Sequence, residues 1–262
     1  MSLNQPRVRS MVPSLVSTEP ITRHVLVLMS PEEMVTADLA RRLREIGAPT
    51  TIVESFEEVE QLLSKGGLDV GALLIPTHVS PGTLTEPLET LRAVAPPAGI
   101  NFISVGKAAT KSDCKKLRNA GVELALWSPI SEADLRFQIN RALFANHSGF
   151  GNRGNPRIPT ALGCTVTIVD RTKEALIYSL AANGAFLATR RASMTGAQLG
   201  LELRLPGGPI LTAAKVVYAN VPGNLQRPGL PLGMGVHFEP LDRSDEKRMK
   251  KYISECIDRL QV

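Results

Sequence analysis

Residues 24–33 read His24-Val25-Leu26-Val27-Leu28-Met29-Ser30-Pro31-Glu32-Glu33, and this short stretch decides the fold of the chain's first half. The run from His24 to Met29 is apolar without alternation, the pattern of a strand covered on both faces, as in a parallel sheet. A helix start follows at once. Ser30 can cap, Pro31 suits the first turn, and Glu33 can reach back to complete a capping box. Val35, Leu39, Leu43 and Ile46 then recur every three or four residues and make one apolar face. Gly47 and Pro49 stop the helix. A buried strand leading straight into an amphipathic helix is the unit from which parallel sheets are built, because parallel strands need crossovers.

Working outward, the unit recurs. Thr50–Val53 is predicted as a second strand. Ser55 and Glu58 form a second capping box, Val59, Leu62 and Leu63 an inner face, and Gly66-Gly67 a stop. Asp69–Pro76 (DVGALLIP) is a third strand, followed by a helix within Glu86–Val94. Ile100–Val105 is a fourth strand, with a Lys-rich helix over Lys111–Asn119 ended by Gly121. Glu123–Trp127 is a fifth strand, and a last helix over Glu132–Ala145 spaces Leu135, Ile139 and Leu143 by four. Five such units in residues 23–146 predict an α/β domain, doubly wound on a five-stranded parallel sheet. Residues 1–22 read as a flexible tail.

The period changes after Asn146–Pro159 (NHSGFGNRGNPRIP), whose asparagines, glycines and prolines mark residues 147–159 as a linker or long loop. Beyond it lie short apolar runs separated by turn residues: Thr165–Val169, Ala175–Leu180, Gly184–Thr189, Leu199–Leu205, Ile210–Ala219 and Met234–Glu239. Six such strands predict a small all-β barrel over residues 160–262. A terminal helix over Ser244–Leu260 closes it, with Met249, Ile253, Ile257 and Leu260 on one face and Asp245 and Glu246 in its first turn.

Composition narrows the classes. With 43% hydrophobic and 21% charged residues among 262, the chain is not mostly disordered. No stretch approaches the roughly 18 apolar residues of a membrane span, so no membrane insertion is expected. Met1 to Arg23 has no sustained apolar run, as a signal peptide would. Cys114, Cys164 and Cys256 are odd in number and far apart, which fits a reducing cytoplasm without disulfides or a metal site. Residues 1–147 hold 15 Lys and Arg against 16 Asp and Glu. Residues 148–262 hold 15 against 9, so the excess positive charge, a net of +6, lies in the C-terminal part. That asymmetry points to an anionic partner or to a simple solubility charge. His24, His78, His147 and His237 show no ligand spacing, and no Ser/His/Asp or Cys/His set assembles, so an enzyme is not expected. Lys247-Arg248-Met249-Lys250-Lys251 reads as a solvated helix face. Aromatic residues are too few for stacking platforms along single-stranded nucleic acid, and no recognition helix stands out.

The element order of residues 23–146 resembles a response-regulator receiver domain. The resemblance is carried best by Gly121-Val122-Glu123-Leu124-Ala125-Leu126-Trp127-Ser128-Pro129, where a glycine leads into the fifth strand and Ser128-Pro129 stands where receivers have Lys-Pro. The receiver's acidic pair falls at Met29 and Ser30, its phospho-accepting aspartate near Leu74, and its hydroxyl residue near Gly106. Mg²⁺ takes oxygen ligands, and aspartyl-phosphate chemistry needs a nucleophilic carboxylate, which these residues do not supply. The resemblance therefore implies a pseudo-receiver used for docking protein partners or for dimerisation. A generic doubly wound domain is the other reading.

Arg153-Gly154-Asn155-Pro156-Arg157 is an R-x-x-x-R on a glycine- and proline-rich loop. Ser179-Leu180-Ala181-Ala182-Asn183-Gly184 follows, and later Gly233-Met234-Gly235-Val236-His237-Phe238. This set resembles a PilZ domain covering about residues 150–262. PilZ domains are small barrels that bind the bacterial second messenger cyclic di-GMP through an R-x-x-x-R loop and a [D/N]-x-S-x-x-G turn. A guanidinium can donate paired hydrogen bonds to phosphate or to guanine O6 and N7, and can stack on a base. By resemblance the ligand-binding residues are Arg153 and Arg157 as clamps, with Ser179, Asn183 and Gly184 on the turn. Ser179 stands at the Asp/Asn position and Ala181 at the serine position. Losing one charge-assisted bond there costs roughly 10- to 100-fold in affinity.

Two readings of function stay open. The first is a non-catalytic cytoplasmic signalling regulator, a PilZ-type cyclic di-GMP effector with a weakened site, acting on motility, polarity or another surface-associated output through protein partners. The second is a PilZ-like adaptor that binds no nucleotide and whose arginines are ordinary solvated charges. A DNA-binding regulator using the basic half ranks behind both.

Overall fold

The computed structural model describes residues 22–31, 33–144, 155–225 and 230–262. The first domain runs β1 (His24–Leu28), α1 (Glu33–Glu45), β2 (Thr50–Val53), α2 (Phe56–Lys65), β3 (Val70–Pro76), α3 (Thr85–Ala93), β4 (Asn101–Gly106), α4 (Lys111–Asn119), β5 (Leu124–Trp127) and α5 (Glu132–Phe144). The five strands are parallel in the order β2-β1-β3-β4-β5. This is the doubly wound order of flavodoxin-like and receiver folds. Alternate strand residues feed two cores. Val25, Val27, Ala72 and Leu74 pack with Leu43 of α1 and Ile139 of α5 on one face. Leu26, Leu28, Leu73 and Ile75 pack with Val59, Leu88 and Leu117 of α2, α3 and α4 on the other.

Local chemistry sets the helix starts. The Ser55 hydroxyl accepts from the Glu58 N–H at 3.2 Å, while the Glu58 carboxylate accepts from the Glu54 N–H at 2.7 Å. The box expected there forms, with its return bond one residue earlier than in the standard pattern.

The second domain comprises β6 (Ile158–Ile168), β7 (Arg171–Ala181), β8 (Gly184–Ala188), β9 (Gln198–Leu205), β10 (Gly208–Val221), β11 (Asn224–Leu225), β12 (Gly233–Phe238) and α6 (Arg243–Ile257). The order β10-β12-β8-β7-β6-β9, with β9 pairing back to β10, closes six antiparallel strands into a barrel. The two-residue β11 is appended to β10. Closure removes the sheet edges that would otherwise invite strand addition. The barrel interior is filled by Ile177, Leu187, Leu203, Val216 and Val236, with Met249 and Ile253 of α6 packed against that core.

Three details differ from the sequence reading. The strand expected from Thr165 begins at Ile158, because Ile158 and Pro159 already pair with Leu180 and Ser179 of β7. Arg157 therefore abuts a strand rather than sitting inside a free loop. The closing helix ends at Ile257 and not at Leu260. The last residues instead turn onto the first domain: Ala125 N–H donates to the Leu260 carbonyl at 3.2 Å, and Gln261 bridges antiparallel to Leu124 of β5. Val262 is buried in the core beneath α2, α3 and α4, and Arg118 Nε donates to the Val262 oxygen. The chain's C-terminus thus extends the β5 edge of the parallel sheet. The seventh strand, β11, had no counterpart among the predicted runs. The tail's residues 1–21 and residues 147–154 of the expected linker lie outside the described residues.

Candidate functional site

The barrel's outer face carries the site, and strand irregularities shape it. Ile177 pairs with Leu187, but Ser179 pairs with Phe186, so Tyr178 is an extra residue in β7. Such a bulge re-aims side chains. Here it lets the neighbours Tyr178 and Ser179 line one cavity, instead of pointing to opposite faces as strand neighbours normally do. A second bulge between Val216 and Tyr218 of β10 falls beside Tyr218. Tyr178 meets Phe186 edge-on, with centroids 6.0 Å apart, and Phe186 stacks on Tyr218 at 6.0 Å. Gly235 makes room for this cluster, since a Cβ there would lie 2.1 Å from the Tyr218 ring. That is the physical reason for the second glycine of Gly233-Met234-Gly235.

The cavity measures about 230 Å³ and lies where the two domains meet. Its barrel wall holds Arg157, Tyr178, Ser179 and Tyr218. Its other wall holds Phe137, Asn140 and Arg141 of α5, with Leu260 and Gln261 from the C-terminus. Arg157 Nη1 donates to the Ser179 hydroxyl at 3.4 Å. The Asn140 amide donates to the Tyr178 hydroxyl at 2.7 Å. Burial pushes the Tyr178 phenol up to about 12, against the opposing effects of the Asn140 bond and the Arg136 charge. Burial lowers the Arg141 pKa, and the Glu123 charge partly offsets it. Behind this wall, Gln138 Nε2 donates to the Ala125 carbonyl at 2.9 Å and to the Leu260 carbonyl at 2.5 Å, tying the C-terminus down.

Of the residues expected from sequence, the fold brings Arg157 and Ser179 together. Asn183 and Gly184 lie elsewhere, at the β7–β8 hairpin, and do not line the cavity. Asn183 is exposed, and its carbonyl accepts from the Phe238 N–H at 3.0 Å. Gly184 is needed for close approach: a Cβ there would stand 2.3 Å from the Val236 carbonyl oxygen. Ala181 is buried and offers no side-chain hydrogen bond. Arg153 lies outside the described residues. Sequence reasoning missed Tyr178, Tyr218 and the whole α5 wall. An aromatic residue directly beside Ser179 was the one local signal for them.

The first domain has a larger cavity, about 730 Å³, at the carboxyl ends of its strands, where doubly wound folds place ligands. Ser30, Thr77, Gly106, Lys107 and Ser128 line it, while Leu74 is fully buried within β3. The two carboxylates that line it among the described residues are engaged by their own helices. Asp38 accepts from Arg41 at 2.6 Å, and Asp113 accepts from the Thr110 hydroxyl at 2.8 Å. Among the described residues no group of three His, Cys, Asp or Glu side chains is placed to hold a metal ion. Among them, too, no helix is long and apolar enough to cross a membrane.

No curated protein matches the chain. Among solved structures, the Inhibitor of motility of Bacillus subtilis is 21% identical over 40% of this chain and 50% of that one, with a TM-score of 0.33. The chain thus spans half the length of that relative. The PilZ domain of YcgR from Escherichia coli, solved with c-di-GMP, is 16% identical over 40% of this chain and 92% of that one, with a TM-score of 0.33. A two-component response regulator from Clostridium difficile is 13% identical over 48% of this chain and 100% of that one, with a TM-score of 0.39. The PilZ domain family model matches residues 152–255. With its closed six-stranded ring, its terminal helix and that match, the C-terminal part of the chain is a PilZ domain, set behind a receiver-like one.

Proposed function

We propose that this protein is a cytoplasmic, non-catalytic regulator whose PilZ domain takes cyclic di-GMP in the cavity between the two domains. The observation that carries the reading is the Arg157–Ser179 contact on the wall of a cavity that also presents Tyr178 and Tyr218. A cyclic dinucleotide has two phosphodiester charges and two planar bases. Guanidinium groups answer the charges, and aromatic faces answer the bases. Arg153, four residues before Arg157, is the second clamp of the motif. The degenerate carboxyl end of the parallel sheet supports a receiver-like domain that docks protein partners without phosphoryl transfer. The output is motility, polarity or another surface-associated process.

Calorimetric titration with cyclic di-GMP tests this. Wild type should give saturable heat, and Arg153→Ala and Arg157→Ala should each weaken binding at least about 10-fold. No heat from wild type, or equal heats from all three, removes the ligand. One observation favours the second reading, an adaptor that works by protein contact alone. Ala181 occupies the motif's serine position and Ser179 its acidic position, so the turn offers no carboxylate to guanine.

A further inference from the structure

Arg141 is half-buried in the last turn of α5 and lines the same cavity as Arg157. Among the described residues it makes no hydrogen bond or ion pair, and only the Glu123 charge acts on it. That is a costly way to keep an arginine. A guanidinium withdrawn from water without a carboxylate loses hydration and gains little in return. It also lines the same cavity as Arg157. Other arginines packed between elements among the described residues have visible partners: Arg23 has Asp69 and three carbonyls, Arg42 the Ile130 carbonyl, and Arg92 the Ala120 carbonyl. Two cations from different domains that line one cavity, together with the Asn140 and Gln261 amides and the Tyr178 and Tyr218 rings, call for an anion that is also planar.

We propose that Arg141 is a ligand-binding residue, so that the anion clamp is built from both domains: Arg157 from the barrel and Arg141 from the receiver-like helix. The inference rests on cyclic di-GMP occupying this cavity, and it adds what the family motif does not contain. The ligand's phosphates bridge the two guanidinium groups, and binding fastens the first domain to the second. The receiver-like domain thus contributes to recognition, in addition to any docking of partners.

The test is calorimetric titration of the full chain with cyclic di-GMP, using wild type, Arg157→Ala, Arg141→Gln and Arg141→Lys, with thermal melting of each. Arg141→Gln removes the charge at nearly constant length, and binding should weaken about 10- to 100-fold. Arg141→Lys keeps the charge and should recover most of that loss, while the melting midpoints without ligand stay together. Should Arg141→Gln bind like wild type while Arg157→Ala fails, the two-domain clamp is wrong and the barrel site stands. Should Gln and Lys variants lose binding equally with lowered midpoints, Arg141 is structural and the clamp is again wrong. Absence of heat from wild type overturns the ligand itself and the clamp with it.

Discussion

The side-chain amide of Asn140 donates to the Tyr178 hydroxyl across 2.7 Å, so a helix of the parallel-sheet domain holds a strand of the barrel at the rim of the shared cavity. Tyr178 is buried, and its ring is fixed edge-on to Phe186. Tyr178→Phe keeps the ring and deletes the bond. The expected cost is about 1 kcal/mol in urea unfolding, the net worth of one hydrogen bond with its partner left partly buried. Asn140→Ala should cost a similar amount alone. The double variant should lose less than the sum, because one bond is counted twice. Strict additivity would mean that the contact contributes nothing.

The same hydroxyl gives a pH signature. An unfolded phenol titrates near pH ~10, whereas burial, the dominant effect, raises Tyr178 to about 12 in the fold. The folded state therefore holds its proton longer. The stabilisation is complete below about pH 10 and disappears as the pH climbs through 12. Tyr178→Phe has no such proton. The difference in unfolding free energy between wild type and variant should be flat from pH 7 to 9 and shift against wild type by pH 11. Tyr252 and Cys164 are also raised to about 12 by burial, but both proteins contain them, so they cancel in the difference.

The alternation of strands and helices in the first domain was legible because each element carries its own signal. His24–Leu28 is apolar throughout, and Ser55 caps with its own side chain. What stayed hidden depends on residues far away in sequence. Leu260 sits at helical spacing from Ile253 and Ile257, so the pattern carries the last helix past its true end. The Ala125 N–H and the Gln138 amide hold its carbonyl instead, and nothing near Leu260 encodes them. The start of β6 was obscured by Pro159 and Gly163, residues that usually end strands, although the register with β7 accommodates both. The site was half legible. Arg157 stood in a motif, but Arg141 resembles any basic residue that complements a helix C-terminus. Its role follows from the packing of two domains.

Gly184 should resist substitution. A methyl group there meets a backbone carbonyl, that of Val236 at 2.3 Å, and backbone cannot swing aside as a flexible side chain can. Gly184→Ala is expected to force β8 and β12 apart and to cost about 1–3 kcal/mol, the usual range for overpacking. A thermal melt that matches wild type would show that the strands yield cheaply. Gly184 does not line the cavity, so ligand affinity at a temperature where the variant is folded should change little.

The receiver-like domain should not accept phosphate. Leu74 is an apolar, fully buried residue near the position of the phospho-accepting aspartate, and the two carboxylates that line the neighbouring cavity among the described residues are held by Arg41 and Thr110. Incubation with a small acyl phosphate and Mg²⁺ should leave the intact mass unchanged. An adduct of one phosphoryl group, labile to acid or base, would refute this.

The C-terminal residues should decide whether the two domains unfold together. β5 is the edge of the parallel sheet, and an edge strand leaves backbone groups unpaired. Residues 260–262 cover it: the Ala125 and Val262 N–H groups donate to the Leu260 and Glu123 carbonyls, and Val262 is buried in the first domain's core while the Leu260 side chain packs into the barrel's core. Leu260 lies three residues beyond the barrel's closing helix, with its side chain in the barrel core and its carbonyl held by Ala125 and Gln138, so it joins the two domains. Leu260→Ala removes a buried side chain and should cost about 2–5 kcal/mol. Deleting residues 260–262 takes away the strand pairing as well, leaving the Gln138 amide without one of its two carbonyls. Differential scanning calorimetry of wild type should show one cooperative transition, and the deletion should split it into two, one for the sheet and one for the barrel. A single transition at the wild-type temperature would mean that α5 against β6 suffices to couple the domains and that the C-terminal pairing is dispensable.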